Sequence, residues 1–444
     1  MKYALPSLCL FVSLAWAADD EPKPRLDVVK KNVAAVKQAI NDDYEHLDAL
    51  YKHIHANPEL SLKELKTAAR LAKELRDAGY TVTEKVGGTG VVGILKNGDG
   101  PTVMIRADMD ALPVIEKTGV PYASKVMVRN DDGQEVGVMH ACGHDINVTC
   151  LVGVARLLAK RKDTWQGTLM LVGQPAEELG LGAKQMLADG LFERFPKPDL
   201  CFGLHCDGRY PHGHVNYREG QMQANVDEVD ILVKGKGGHG AAPHAAIDPV
   251  VIAARIVIDL QTISSREMNP ADPVVVTVGS IHGGTKHNII PNDVKLQLTV
   301  RTSSDPSRKK VLDAIARIAK GAAMVAGAPE PLVELRPHFT PALINNTPLA
   351  RRTVPVFKEV LGADKVHERG ISMGGEDFSR YIRAGVPGFY FFLGTAPPER
   401  VAEAKQGGKP LPSVHSDAYY PIPEPTIKTG MLAMTSAVLN VLGK

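Results

Sequence analysis

Residues 146–178, INVTCLVGVARLLAKRKDTWQGTLMLVGQPAEE, carry the pattern that decides the fold. Residues 146–160 space their apolar side chains as a helix does, whereas 168–173 is a short unbroken apolar run of the kind a buried strand shows. That run ends at Gln174-Pro175-Ala176-Glu177-Glu178, so two adjacent carboxylates stand at a strand end. Helix, strand and polar strand end make the unit of an α/β domain. Similar runs occur at 91–95, 102–107 and 199–205. A helical pattern covers 44–80, broken near Asn57-Pro58 and ended by Gly79, with Leu65, Ala68, Ala69, Ala72 and Leu75 expected on its buried stripe.

From Asn216 the order changes. Strands expected at 226–233, 273–281, 294–301 and 332–336, with helices at 249–265 and 306–326, give a βαββαβ block. The reading is an α+β domain, 216–336, inserted into a discontinuous α/β domain made of 25–215 and 337–444. The helix at 249–265 carries Val250, Val251, Ile252, Ile256, Val257 and Ile258 on more than one stripe, which predicts a face buried beyond its own sheet.

At 444 residues the chain exceeds one ordinary core, in keeping with two domains. Its 44% hydrophobic and 23% charged content are those of a globular protein. A net charge of +2 and 5% aromatic residues offer neither a basic field nor a stacking platform, so nucleic acid is excluded as the expected partner. At the N-terminus, Lys2 precedes a mostly apolar stretch, 4–16, and Ala15-Trp16-Ala17 has a small-x-small form. Residues 1–17 therefore read as a signal peptide cleaved after Ala17, and the mature chain as exported, periplasmic or secreted. About 13 apolar residues interrupted by Pro6 fall short of a membrane span. Of the remaining cysteines, Cys142, Cys150, Cys201 and Cys206, the last two are too far apart along an extended strand to bridge, and a link from Cys150 to Cys201 stays open.

Chemistry concentrates at Met139–Asp145, MHACGHD. Cys142 and His144 are two apart, so in extended chain both would face one side and grip one metal cluster; a buried structural pair is the alternative. Asp145 stands before the long helix as a candidate cap. Glu177 and Glu178 repel each other unless a cation or proton resolves them, and a metal hydrolase divides such a pair into ligand and proton acceptor. A solvated acidic turn is the rival reading. His205 ends another apolar strand, and His415 lies before the C-terminal helix. Together Cys142, His144, Glu178, His205 and His415 suit two divalent ions, with zinc favoured over magnesium or calcium. Asp110, in Arg106-Ala107-Asp108-Met109-Asp110, is placed to orient a ligand imidazole. His239 sits in a glycine-rich turn, and Asn288 and Arg301 are polar groups able to meet a substrate carboxylate.

Seven segments then occur in order: HANPELSLKE from His55, RADMDALP from Arg106, MHACGHD, QPAEE, GKGGHGAAPH from Gly235, HNIIP from His287 and GGEDF from Gly374. They resemble the amidohydrolase branch of the aminoacylase, hippurate hydrolase and indole-acetyl-amino-acid hydrolase metallopeptidases, over roughly Tyr44 to the C-terminus. The resemblance implies a zinc-exopeptidase-like catalytic domain with an inserted, ferredoxin-like lid that also mediates homodimerisation. It implies two metals, zinc before manganese or cobalt, held by Cys142, His144, Glu178, His205 and His415, with Glu177 as general base. His239 corresponds to a lid histidine that in relatives stabilises the oxyanion of a partner subunit's site. Asn147 departs from the family, which has histidine there, and HSDAYY around His415 is a loose match. The implied reaction is hydrolysis of the amide of a small N-acyl amino acid. A metallocarboxypeptidase or dipeptidase is the alternative, and a non-catalytic binding module a more distant one.

Overall fold

The computed structural model describes residues 23–444. The expected leader, 1–17, lies outside the described residues. Among them no helix is long and apolar enough to cross a membrane.

An eight-stranded mixed sheet organises most of the chain. Its strand order is Thr81–Val86, Gly90–Asn97, Gly167–Gln174, Thr102–Asp108, Leu200–Pro211, Gly388–Ala396, Val215–Tyr217 and Val366–Glu368. The central strands Thr102–Asp108, Leu200–Pro211 and Gly388–Ala396 pair in parallel, while Gly90–Asn97 runs antiparallel to Gly167–Gln174. Thr102–Asp108 and Gly167–Gln174 are buried throughout, which explains their unbroken apolar reading. Successive side chains go to opposite faces. Phe202, Leu204 and Cys206 join the larger core with Val103, Ile105, Leu169 and Leu171, whereas Cys201 joins a second core with Met104, Met170 and Val172.

Helices Leu26–Ala56, His144–Lys160, Thr347–Leu361 and Pro423–Leu442 cover the larger core. The first begins well before Tyr44, where the sequence pattern was expected to start. Its buried Val29, Val36, Ile40, Leu47, Leu50, Tyr51 and Ile54 keep a helical period throughout. In the helix Leu65–Asp77 the buried stripe is Ala68, Leu71, Ala72 and Leu75; contrary to expectation, Leu65, at the first helical position, and Ala69 are exposed. Gly79 closes the helix at φ 88°, and the next N–H, of Tyr80, donates to the Leu75 carbonyl.

Residues 225–335 build a separate four-stranded antiparallel sheet ordered Val274–His282, Asp293–Thr302, Asn225–Lys234, Leu332–Leu335. Helices Pro249–Thr262 and Asp305–Val325 share its core through Ile252, Ile256, Leu260, Val311 and Ile315. Val250, Val251 and Ile258 of the first helix remain exposed. All four cysteines of the described residues are free and buried, so no Cys150–Cys201 bridge forms.

Candidate metal centre

Cys142 and His144 are not in extended chain, as their spacing had suggested. Cys142 occupies a turn, and His144 opens the helix His144–Lys160. Gly143 between them has φ 82°, and a Cβ there would stand 2.8 Å from the Cys206 Cβ. Glycine meets both demands, a left-handed backbone and a close approach. The turn thereby delivers the Cys142 Sγ to 3.3 Å from His205 Nε2 and 3.2 Å from His415 Nε2. His205 is fixed by its other nitrogen, Nδ1, at 2.8 Å from the Cys206 carbonyl.

The turn after Gly167–Gln174 starts at Ala176, whose φ of 48° is costly for a residue with a side chain. Hydrogen bonds hold it. Ala176 N–H donates to the Glu64 carboxylate at 2.8 Å, and the N–H groups of Glu177 and Glu178 donate to the two Asp110 oxygens at 3.1 and 3.0 Å. The Asp110 carbonyl lies 2.7 Å from His144 Nδ1. One aspartate therefore places both glutamates and a histidine. His144 Nε2 is left 3.9 Å from a carboxylate oxygen of each glutamate, and His415 Nε2 is 3.4 Å from Glu178 Oε2.

The five expected donors thus converge, in overlapping triads whose atoms lie within 4.8 Å: Cys142, His144 and His205; Cys142, Glu178 and His415; His144, Glu177 and Glu178. His144 Nε2 and Glu178 Oε1 are buried without a hydrogen-bond partner among the described residues. Orphaned buried acceptors of this kind fit cations, as does a thiolate, imidazole and carboxylate set. Burial, then the neighbouring Glu376 and Glu178 carboxylates, pushes the Glu177 carboxyl well above its usual range. Burial raises Glu178 to about 7; the His144 charge opposes and Asp110 adds to the rise. Burial opposes charge on His144, but Asp108 and Asp110 outweigh it and raise its pKa, so these surroundings favour positive charge at this position, whether a proton or a metal cation in its place.

Behind Glu177 lies a network that sequence reasoning missed. The fully buried Arg106 donates to Gln174 Oε1 at 2.9 Å, Asp108 at 2.6 Å and Asp377 at 3.0 Å, and pairs with Glu376 at 2.9 Å. Tyr390 donates its hydroxyl to Glu376. Glu376 and Asp377 lie with Glu177 in one cluster within 4.8 Å. Both had been quoted in the GGEDF segment, but nothing local ties them to Arg106. Asn147, the departure from the family histidine, donates from Nδ2 to Asp108 Oδ1 at 2.6 Å. Asp145 is already inside the helix: it accepts from Ile146 N–H at 2.8 Å and binds His55 Nδ1 at 2.6 Å, so it serves as an ion partner rather than as the cap before the helix.

Cys142, Glu177, Glu178, His205 and His415 line a cavity of about 670 Å³, with His144 buried behind them. Arg301 lines it, with Arg369, Gln223 and Phe392. His239 and Asn288 do not; both are exposed, close together at the short antiparallel pairing of Gly238–His239 with Ile289–Ile290. The His239 Nδ1 accepts from Ala241 N–H at 3.0 Å. Within one chain, then, the structure unites the five expected donors, Glu177, Asp110 and Arg301 and leaves His239 and Asn288 apart.

Comparison with known proteins agrees with this chemistry. The model of peptidase family M20/M25/M40 matches residues 104–406. Thermostable carboxypeptidase 2 of Saccharolobus solfataricus is 40% identical over 83% of this chain and 90% of its own length. IAA-amino acid hydrolase ILR1-like 4 of Arabidopsis thaliana is 36% identical over 88% of this chain and 84% of its own. The crystal structure of Bacillus subtilis YXEP protein, described as a dinuclear metal binding peptidase, superposes with a TM-score of 0.71 at 29% identity, covering 90% of this chain and 99% of that one. The chain belongs to peptidase family M20/M25/M40 and is a metal-dependent hydrolase of amide or peptide bonds.

Proposed function

We propose that the chain acts after export, with residues 1–17 removed, and cleaves the amide between an acyl group and an amino acid with a free carboxylate. The observation that carries this reading is the Glu177 carboxylate beside His144 and Glu178, lining the cavity. Cys142, His144, Glu178, His205 and His415 would hold two divalent ions, zinc by the softness of thiolate and imidazole, with manganese or cobalt as other occupants. When bound, such ions acidify water and polarise a carbonyl. Glu177 takes a proton from water and delivers it to the leaving amine. Asp110 keeps the Glu177 and Glu178 backbone and the His144 ring in place for that transfer.

Residues 216–336 form, in this reading, a lid that joins two copies. Val251 at 65% and Ile258 at 69% exposure on one helix support a face awaiting a partner. His239 and Asn288, outside their own cavity, would then serve the neighbouring subunit, His239 as donor to the oxyanion. A carboxypeptidase or dipeptidase using the same residues is the second reading, favoured by the 40% identity to the Saccharolobus carboxypeptidase.

The test is turnover by residues 18–444, loaded with zinc, manganese or cobalt, on a panel of N-acyl amino acids and dipeptides. Hydrolysis of the N-acyl amino acids is expected to dominate. Hydrolysis of dipeptides alone would replace this reading with the second.

A further inference from the structure

One wall of the cavity has no part in the chemistry above. Arg369 stands on it with its side chain only 5% exposed. Its Nη1 donates to Asp207 Oδ2 at 3.1 Å. Arg209 meets the same carboxylate through Nε to Oδ1 at 2.9 Å and Nη2 to Oδ2 at 2.7 Å. Two guanidinium charges thus share one carboxylate, and the wall stays positive.

The Arg369 Nε is buried and has no hydrogen-bond partner among the described residues. A buried donor on a charged group is rarely left unpaired when the protein is at work. The guanidinium plane is also held: its carbon lies 4.2 Å from the centre of the Phe392 ring, and that ring is 5.8 Å from the ring of His205. Arg369 is therefore a fixed, flat, positively charged donor one aromatic ring away from an expected metal ligand. A planar fork of N–H groups matches the two oxygens of a carboxylate. Arg301, on the wall contributed by the second sheet, already donates from Nε to Thr299 Oγ1 at 3.1 Å.

We propose that Arg369 is a specificity-determining residue that takes a carboxylate of the substrate. The inference rests on the amidohydrolase reading above. The carboxylate has two possible sources, the amino acid released by hydrolysis or the far end of a dicarboxylic acyl group, and the test separates them.

Three substrates suffice: an N-acetyl amino acid, its C-terminal carboxamide, and the N-succinyl derivative of that carboxamide. Their kcat/KM is measured with the parent, Arg369→Gln, Arg369→Lys and Arg301→Gln. The parent is expected to favour one carboxylate-bearing substrate over the neutral carboxamide, which identifies the source. Arg369→Gln is expected to reduce that preference about 10- to 100-fold, the range of a hydrogen bond to a charged group. Arg369→Lys, a point charge without the fork, is expected to retain part of it.

The preference is a ratio, so a partly folded variant still reports it. Arg369→Lys preserves a cation for Asp207 if the glutamine variant does not fold. An unchanged ratio in Arg369→Gln, or a fall confined to Arg301→Gln, would overturn the proposal. Cleavage of dipeptides but none of the three compounds would defeat the acyl-amino-acid reading alone, and a dipeptide with its carboxamide then puts Arg369 to the same test. Calorimetric binding of the product that carries the preferred carboxylate, the free amino acid or succinate, to the parent and to Arg369→Gln repeats the comparison without turnover.

Discussion

The Glu178 N–H donates to Asp110 Oδ2 at 3.0 Å, so the backbone of an expected metal ligand hangs on a carboxylate that need not touch metal itself. The other Asp110 oxygen accepts from Glu177 N–H, and Ser61 donates its hydroxyl to the shared Oδ2 at 2.6 Å. Asp110→Asn keeps the shape but turns one acceptor into a donor facing an N–H. Metal affinity, followed by competition with a chromogenic chelator, is expected to fall about 10- to 100-fold, the usual cost of disturbing the supports of metal ligands. Unchanged affinity and turnover would show that the Ala176 turn holds its shape without Asp110.

Glu177 and Glu178 are neighbours with separate tasks, and their isosteric variants should part company. Glu177→Gln is expected to keep its metal, by elemental analysis, and lose about 10²- to 10⁴-fold in kcat because the amide accepts no proton. Glu178→Gln is expected to lose metal first, with activity partly recovered at high metal concentration. A Glu177→Gln enzyme with full metal and near-parent kcat would remove the general base assigned here.

His55 links Asp145, behind the metal turn, to Glu116 at 3.1 Å. Burial disfavours its charge, but the hydrogen bonds and charges of Asp145 and Glu116 win and raise its pKa to about 9. A raised histidine pKa means that the folded state binds the proton more tightly than the unfolded state. The resulting stability is fully present below the unfolded value near 6.5 and is lost as pH rises through about 9. Urea unfolding of the parent and His55→Gln should therefore differ by a few kcal/mol, on the order expected for a buried charge pair, at about pH 6, with the gap narrowing by about pH 10. A gap independent of pH would mean that His55 is neutral in the folded protein.

The proposed exchange of His239 between subunits has a direct assay. Glu177→Gln and His239→Ala are each expected to be nearly inactive. Mixed under conditions that allow subunit exchange, they should form heterodimers in which one site has both residues intact. Activity should then rise well above that of either parent variant. No recovery despite demonstrated exchange would refute action in trans, and a monomer in sedimentation would remove the dimer.

Much of this architecture was legible because burial writes itself into composition. Strands enclosed on both faces, such as Gly167–Gln174, carry an unbroken apolar centre, Leu169 to Val172, and the alternating Asn225–Lys234 announces one covered face. Of the expected metal donors, Cys142, His144 and Glu178 were legible because they sit in the short segments MHACGHD and QPAEE, whereas His205 and His415 stood out only as histidines at a strand end and before the last helix. Arg106 and Asp377 were not, since 271 positions separate partners that only the parallel sheet brings together. Nor does any pattern reveal that Arg369 lies against Phe392, or that Gly143 rather than extended chain turns Cys142 towards His205. Helix 26–56 was underestimated although Val28 and Val29 in its first turn already face the core.

The strand Leu200–Pro211 sends Leu204 and Cys206 into the larger core and leaves His205 between them, facing the metal donors. Inserting or deleting one residue upstream within that strand would reverse every later side chain and bury a histidine where a leucine belongs. Natural length variation in this lineage should therefore spare the strand and gather in segments such as the surface turn at residues 406–412, where a gap changes the outline of the protein without touching its reading frame of inward and outward positions.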